Sequence, residues 1–186
     1  MLLLVGLGNP GPNYDNNRHN IGFKVIDAIN QQFSLSKQKP KFKGLLTTGN
    51  IDNKKVYAIK PLTFMNNSGT AIKELIDYFK IDAKDVFVFH DDMDIDFGKI
   101  KAKFGGSSAG HNGIDSIDKF IGKDYSRVRI GIGKPNGKDE AADHVLKDFN
   151  EEEKTELENI TENITSSLPI LLDNKLDLFS STVNNI

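Results

Sequence analysis

The chain has 186 residues, of which 38% are hydrophobic and 27% charged, and this is ordinary for one globular domain. It has no cysteine, which excludes a disulfide framework and thiolate metal sites and suits a reducing cytoplasm, and its N-terminal apolar run, residues 2–5, is too short for a signal peptide or a membrane span. The formal net charge of −2 combines a balance of +6 over residues 1–134 with one of −8 over residues 135–186, so a polyanion could bind through a local basic patch.

The first predicted element is a buried strand at residues 2–5, followed by a glycine loop. Residues 6–11 fit the G-x-G-x-x-G dinucleotide fingerprint, which leaves a nucleotide-dependent oxidoreductase as one alternative. However, Pro10 removes a backbone donor, Pro12 delays the helix, and no acidic residue stands where ribose binding requires one. We therefore expect no nicotinamide or flavin cofactor. Instead, the glycines would shape a loop that carries Asn9, Tyr14, Arg18 and His19 at the carboxyl end of the strand.

Apolar periodicity predicts the remaining elements in chain order. Helices are expected over residues 20–33, around 72–79 and over 114–121, and strands over residues 44–51, 55–59, 86–90, 97–104 and 127–133. Residues 37–43 form a lysine-rich connector, and Asp52-Asn53 forms a turn. Strands that alternate with helices predict a single α/β domain with helices on both faces of the sheet.

The acidic C-terminal region, from about residue 138 to 186, has a helical pattern that follows a loop at residues 134–140. Asn150 and Glu153 have the spacing of a capping box, and Leu157, Ile160 and Ile164 supply an apolar stripe. A solvated acidic helix would account for the negative charge of this region.

Polar residues with chemical capacity follow the predicted strands in four separate loops. They are Asn9, Tyr14 and His19 in the first loop, Asn66 in the second, Asp91 in the third, and His111 with Asn112 in the fourth. Because open α/β sheets place their sites at the carboxyl ends of strands, we expect these loops to converge at one end of the sheet.

A general base is expected at His19, because histidine has an unperturbed pKa near neutrality. Asp91 directly follows a buried strand and is the best candidate to fix its tautomer, whereas Asp92 would point away by strand alternation. Taken singly, either residue can be a satisfied polar group or a turn or cap residue.

No convincing nucleophile accompanies His19, since the serines among the glycines lack the G-x-S-x-G pattern. This favours direct attack by an activated water over a covalent intermediate. No metal-ligand spacing such as H-E-x-x-H occurs either, so no metal is expected.

Three asparagines, Asn9, Asn66 and Asn112, offer uncharged donors and acceptors that suit a peptide bond or an oxyanion. Ordinary turn chemistry is their alternative role. A lysine stripe, Lys99, Lys101 and Lys103, has the spacing of one strand face, and with Lys119, Lys123 and Arg129 it can form a phosphate-tracking surface. The alternative is a solvated edge whose lysines discourage aggregation.

Six blocks of the chain resemble, in order and spacing, the bacterial-type peptidyl-tRNA hydrolases. The blocks are VGLGNPGPNY, NRHNIGF, KPLTFMNNSG, HDDMD, GGSSAGHNG and RVRIGIGKP, within residues 5 to about 135. The resemblance implies hydrolysis of the ester between a peptide and the 3′ ribose of tRNA, which recycles tRNA from prematurely released peptides. It also implies a single α/β domain around a twisted mixed sheet, residues 1–186, that is monomeric, cytoplasmic and free of metal and cofactor.

The resemblance implies roles for individual residues. His19 would be the catalytic base, Asp91 would stabilise it, and Asn9 would separate N-blocked from free aminoacyl-tRNA. The tRNA end would contact Tyr14, Phe64, Asn66 and Asn112, with Met65 lining the cleft and with Lys103 and Arg129 on the acceptor-stem phosphates.

A non-catalytic RNA-binding relative on the same scaffold is the alternative, and retention of the proposed catalytic set argues against it. Two segments depart from the family pattern: residues 95–98, where relatives often carry a proline pair, and residues 107–109, where some relatives have a Gly- and His-containing run. Both concern only the rim of the cleft.

Overall fold

The computed structural model describes residues 1–135 and 140–186. Its strands are β1 (Leu2–Gly6), β2 (Lys39–Lys41), β3 (Gly44–Ile51), β4 (Lys54–Pro61), β5 (Val86–Asp92), β6 (Ile100–Phe104) and β7 (Ser126–Gly131). Its helices are α1 (Ile21–Gln32), α2 (Ser68–Phe79), α3 (Asn112–Ile121), α4 (Ala141–Leu146), α5 (Glu151–Leu172) and α6 (Leu176–Val183). One sheet has the order β2-β3-β4-β1-β5-β7-β6. The predicted α/β class with a mixed sheet is confirmed.

The direction of the strands places the loops with polar residues at one edge of the sheet. β1 pairs in parallel with β4 and β5, and β5 pairs in parallel with β7, whereas β2, β3 and β6 are antiparallel to their neighbours. The carboxyl ends of β4, β1, β5 and β7 therefore meet at one edge. The segments after β1 and β4 carry six of the predicted site residues, and Asp91 lies near the end of β5.

Helices cover both faces of the sheet, as predicted. On one face, α1, α5 and α6 pack over Phe87 and Phe89 of β5. On the other face, α2 and α3 pack over Val86 and Val88. Because successive side chains of a strand point to opposite faces, the buried strand β5 supplies both cores.

Close packing explains the glycine pattern after β1. A Cβ at Gly6 would lie 2.2 Å from the carbonyl oxygen of Gly22 in α1, and a Cβ at Gly8 would lie 2.9 Å from the ring of Phe23. The first helix begins at Ile21 and not inside the glycine motif. These glycines let α1 approach the strand end, and the phosphate-binding helix of a dinucleotide fold is missing from this part of the described chain.

Two details differ from the sequence-based expectations. The connector at residues 37–43 contains β2, because Phe42 and Lys43 adopt positive φ and turn the chain into a hairpin with β3. The strand expected from residue 97 begins only at Ile100, after a turn with positive φ at Gly98. The acidic region, by contrast, is helical as its pattern indicates: it forms α4, α5 and α6, and α5 begins with the predicted capping box of Asn150 and Glu153.

The predicted loop at residues 134–140 and the predicted start of the acidic region at 138 fall partly on residues 136–139, outside the described residues. None of the helices in the described part of the chain is long and apolar enough to cross a membrane.

Candidate active site

His19 and Asp91 form a buried hydrogen-bonded pair at the carboxyl edge of the sheet. Nδ1 of His19 lies 2.9 Å and 2.8 Å from the two carboxylate oxygens of Asp91. His19 sits in a 3-10 turn, Arg18–Asn20, directly before α1, and Asp91 is near the end of β5. The structure therefore brings together the two residues that the sequence singled out as base and orienting carboxylate.

A second histidine, His111, binds the same carboxylate. Its Nε2 lies 2.8 Å from Oδ1 of Asp91, and its ring centre lies 5.0 Å from that of His19. His111 is also the N-cap of α3, where Nδ1 accepts hydrogen bonds from the backbone N–H groups of Gly113 and Ile114. The sequence places His111 in the polar glycine loop but does not assign it a role, because its contact with Asp91 depends on tertiary structure.

These contacts fix which nitrogen of each ring carries the proton. Nδ1 of His111 accepts two backbone hydrogen bonds, so its proton is on Nε2, which donates to Asp91. The Asp91 carboxylate likewise receives the Nδ1–H of His19. The lone pair of His19 is therefore on Nε2, the atom that can take a proton from water.

The charge of Asp91 is strongly stabilised in the fold. Burial alone would raise its pKa, but the electrostatic attraction of His19 and His111 and the hydrogen bonds from their N–H groups lower the pKa of the Asp91 carboxyl far below its usual value. Asp91 thus stays ionised and can stabilise an imidazolium at His19.

The neighbouring His90 has the opposite character. Its Nδ1 lies 2.8 Å from the carbonyl oxygen of Asp91 and donates to it, while Nε2 is buried without a hydrogen-bond partner among the described residues. Burial and then the nearby His111 lower the pKa of His90 from 6.5 to about 3. His90 therefore stays neutral and adds no positive charge beside the pair.

Asn9 is oriented by backbone and side-chain contacts. Its Oδ1 accepts from the N–H of Met65 at 2.7 Å, and its main chain makes two hydrogen bonds with the side chain of Asn20. Because Oδ1 is occupied in this way, the Nδ2 group of Asn9 remains to donate. Asn20, which fixes this loop, was not predicted as a site residue.

A cavity of about 270 Å³ opens beside His19 and Asp91. Its polar wall includes His111 and the exposed Asn112, the first residue of α3. Its apolar side is formed by Met93, Ala109, Ala141, Ala142 and Val145. The cavity thus joins a proton-accepting nitrogen to a partly apolar surface, which suits a substrate with both polar and apolar groups.

An aromatic pair lies in the loops next to the strand ends. The rings of Tyr14 and Phe64 meet edge to face at 6.3 Å. Phe64 is 51% exposed and has a φ of +60°, a conformation that bulky residues rarely adopt. Next to it, Asn66 is exposed, whereas Met65 is buried. None of these four residues lines the described part of the 270 Å³ cavity.

Lys103 and Arg129 line a second, more polar cavity of about 130 Å³. The two cavities share His90, Asp92, Ser108 and Ala109 in their walls. Nε of Arg129 pairs with Asp92 at 2.8 Å, so Asp92 points away from His19, as strand alternation predicts. Arg129 is thus paired with an acidic residue, whereas Lys103 has no acidic partner among the residues that the structure describes.

The atoms of His19, Asp91 and His111 are also close enough for a metal site, since all lie within 4.8 Å of one another. A metal at Nε2 of His111 would need the lone pair of a nitrogen that donates its proton to Asp91. The ring would then have to become an imidazolate or release the two amides that it caps. The hydrogen-bond pattern fits proton transfer better than metal binding, and the absence of a metal stays a prediction.

The chain matches the peptidyl-tRNA hydrolase family over residues 3–186. It is 77% identical over 185 residues to a peptidyl-tRNA hydrolase of Pelagibacter ubique, with all of both chains covered, and 45% identical to that of Bartonella henselae, with 99% and 95% covered. It superposes on the crystal structure of peptidyl-tRNA hydrolase from Acinetobacter baumannii with a TM-score of 0.92 and 32% identity, covering 100% of this chain and 95% of that one. On these matches, the chain belongs to the peptidyl-tRNA hydrolase family.

Proposed function

We propose that this chain hydrolyses the ester that joins a peptide to the 3′ ribose of tRNA, with His19 as the general base. The observation that carries the proposal is the arrangement of His19, Asp91 and His111, which leaves the Nε2 lone pair of His19 free beside a cavity. Family membership supports the substrate class.

The reaction needs one proton acceptor that later becomes a donor. Nε2 of His19 would take a proton from water while the oxygen attacks the ester carbonyl, forming a tetrahedral oxyanion. The ester bond would then break, and the imidazolium would return the proton to the departing 3′ oxygen. The Asp91 carboxylate, at 2.8 Å from Nδ1, would stabilise the imidazolium throughout.

Two asparagines supply neutral donors for this chemistry. Asn9 offers its Nδ2 group, since its Oδ1 is bound by Met65, and Asn112 lies in the cavity wall. The Nδ2 group of Asn9 would donate to the carbonyl of an N-blocked substrate and would be mispaired with a free ammonium. A mispaired buried polar group is a strong basis for discrimination between substrates.

The tRNA would lie across the basic and aromatic groups around the cavities. Lys103 and Arg129, which line one cavity, would bind phosphates; such contacts carry no sequence information and suit an enzyme that acts on many tRNAs. The half-exposed Phe64 with Tyr14 and the exposed Asn66 would contact the terminal nucleotide, with Met65 packed beneath. We extend the proposal to a monomer that works in the cytoplasm.

The test is release of labelled peptide from N-acetylaminoacyl-tRNA, with unblocked aminoacyl-tRNA as the comparison. The wild type should cleave only the blocked substrate, and His19→Ala should lose this activity while keeping its fold by circular dichroism. A folded wild type that binds tRNA without cleaving it would support the non-catalytic alternative instead. Cleavage that survives in His19→Ala would show that another group is the base.

A further inference from the structure

The turn that carries His19 is hydrogen-bonded to the segment between α4 and α5. The backbone N–H of Arg18 donates to Lys147 at 3.1 Å, and the N–H of Phe149 donates to the carbonyl of Asn16 at 3.1 Å. The side-chain amide of Asn17 donates to Asp148 at 2.8 Å. Residues 16–18 and 147–149 therefore run side by side, although they are about 130 positions apart in the sequence.

The side chain of Arg18 ties together the ends of two helices. Its Nη1 donates to the carbonyl of His144 near the end of α4 at 3.2 Å, and its Nη2 donates to Oε1 of Glu153 in the first turn of α5 at 2.8 Å. The same Oε1 accepts from the backbone N–H of Asn150 at 2.9 Å, within the capping box. Arg18 thus satisfies a terminal carbonyl of one helix and a capping carboxylate of the next.

This arrangement concerns the active site because α4 is one wall of the larger cavity. Ala141, Ala142 and Val145 of α4 line that cavity together with His19, the residue next to Arg18. A further contact holds α4, since Nε2 of His144 donates to the carbonyl of Gly133 at 2.9 Å. The guanidinium is buried, so these partners compensate for the loss of its contacts with water.

We propose that the ion pair of Arg18 and Glu153 is a positioning element that sets the distance between His19 and the α4 wall. It acts on binding of the part of the substrate that fills the cavity and leaves proton transfer at His19 unchanged. The expected effect on KM rests on the proposed hydrolysis, whereas the role of the ion pair in holding α4 does not. Arg18 and Glu153 are positioning residues, since the structure gives them no contact with the 270 Å³ cavity in its described part.

The experiment compares Glu153→Gln with Glu152→Gln, which removes the same charge from an exposed site one residue earlier in α5. Glu153→Gln should raise KM for N-acetylaminoacyl-tRNA about tenfold, as expected for loss of one charged hydrogen bond, with kcat and its pH profile unchanged. Amide hydrogen exchange over residues 141–149 should become faster in Glu153→Gln and remain as in the wild type in Glu152→Gln.

Arg18→Lys supplies a second test, because lysine keeps the charge and cannot bridge both partners in the fixed geometry of a guanidinium. It should raise KM like Glu153→Gln, and the double variant should add little to either single change. Equal KM and equal exchange in Glu153→Gln and Glu152→Gln would overturn the inference, as would additive effects in the double variant. If the wild type itself cleaves nothing, the proposed function fails, and the exchange comparison still decides whether the pair holds α4.

Discussion

His111 and Asp91 are joined at 2.8 Å by a hydrogen bond whose direction is fixed, because the other ring nitrogen of His111 caps helix α3. The carboxylate of Asp91 consequently receives an N–H from His111 and an N–H from His19. A helix N-terminus therefore sets the tautomer of one histidine, and through Asp91 this contact supports the tautomer of the other.

Asp91→Asn should lower kcat by about 10²–10⁴-fold, because an amide has only one oxygen for two N–H donors. His111 cannot change its tautomer without losing its cap, so His19 would turn its protonated nitrogen toward the cavity and lose its base. The measurement is single-turnover release of peptide. Asp96→Asn, an exposed change in the loop after β5, is the control, and equal activity of the two variants would contradict this role of Asp91.

His111→Asn and His111→Ala separate the two tasks of His111. Asparagine is a good N-cap, so His111→Asn should keep the helix cap and lose rate through the broken contact with Asp91. His111→Ala breaks the same contact and also removes the cap, so its free energy of unfolding should be lower than that of His111→Asn by about 1 kcal/mol. Urea denaturation beside kinetics makes the comparison, and equal stability of the two variants would refute the capping role.

The pH dependence of the free energy of unfolding should reveal the lowered pKa of His90. Its pKa is lowered from 6.5 in the unfolded chain to about 3 in the fold, so between these values only the unfolded chain binds the proton. The stability that neutral His90 gives is complete above pH 6.5 and is lost as the pH falls, at about 1.4 kcal/mol per pH unit. His90→Asn, which keeps a donor for the carbonyl of Asp91, should remove about this slope between pH 6 and 4.

Urea denaturation of both proteins at several pH values tests the prediction for His90. An identical slope in wild type and His90→Asn would show that His90 titrates normally in the fold. Asp91 contributes outside this window, because its lowered pKa gives stability that is present above the usual carboxyl pKa and is lost only in stronger acid.

Asn9→Asp should change the preference between blocked and free substrates. The carboxylate still accepts the N–H of Met65 but offers no donor to a carbonyl, and it attracts an ammonium. The ratio of kcat/KM for N-acetylaminoacyl-tRNA to that for free aminoacyl-tRNA should fall by at least about tenfold. An unchanged ratio with lower overall activity would mean that Asn9 does not read the blocked amine.

Lys103→Ala should weaken tRNA binding and make it less dependent on salt. If Lys103 meets one phosphate, the slope of log K against log salt should fall by about one. Lys84→Ala, an exposed change in the turn before β5, is the control. Equal salt slopes for the two variants would show that Lys103 does not contact a phosphate of the tRNA.

The contact of His19 with Asp91 could be predicted from the sequence because it follows local rules. Asp91 follows a continuous apolar run that had to be a buried strand, and His19 lies in the loop after another strand. Parallel strands then place both residues at one edge of the sheet.

The contacts that hold His19 and Asp91 in place could not be predicted, because they join segments that are distant in the sequence. His111 is 20 positions from Asp91 and acts through the start of α3, which periodicity locates only within a few residues. Arg18 meets Glu153 across 135 positions, and nothing in the local pattern of either segment marks the other as its partner. The sequence does not predict strand β2, because its three exposed residues, two lysines and a proline, show no alternation of apolar and polar side chains.

The proposed role of His19 requires an unprotonated Nε2, which Asp91 and His111 provide by fixing the ring tautomers. The most direct measurement is the long-range nitrogen–proton NMR spectrum of the histidine rings in the wild type at mildly alkaline pH. The account predicts a proton on Nδ1 and none on Nε2 of His19, with the reverse arrangement in His111. A His19 protonated at Nε2, or a His111 protonated at Nδ1, would contradict it.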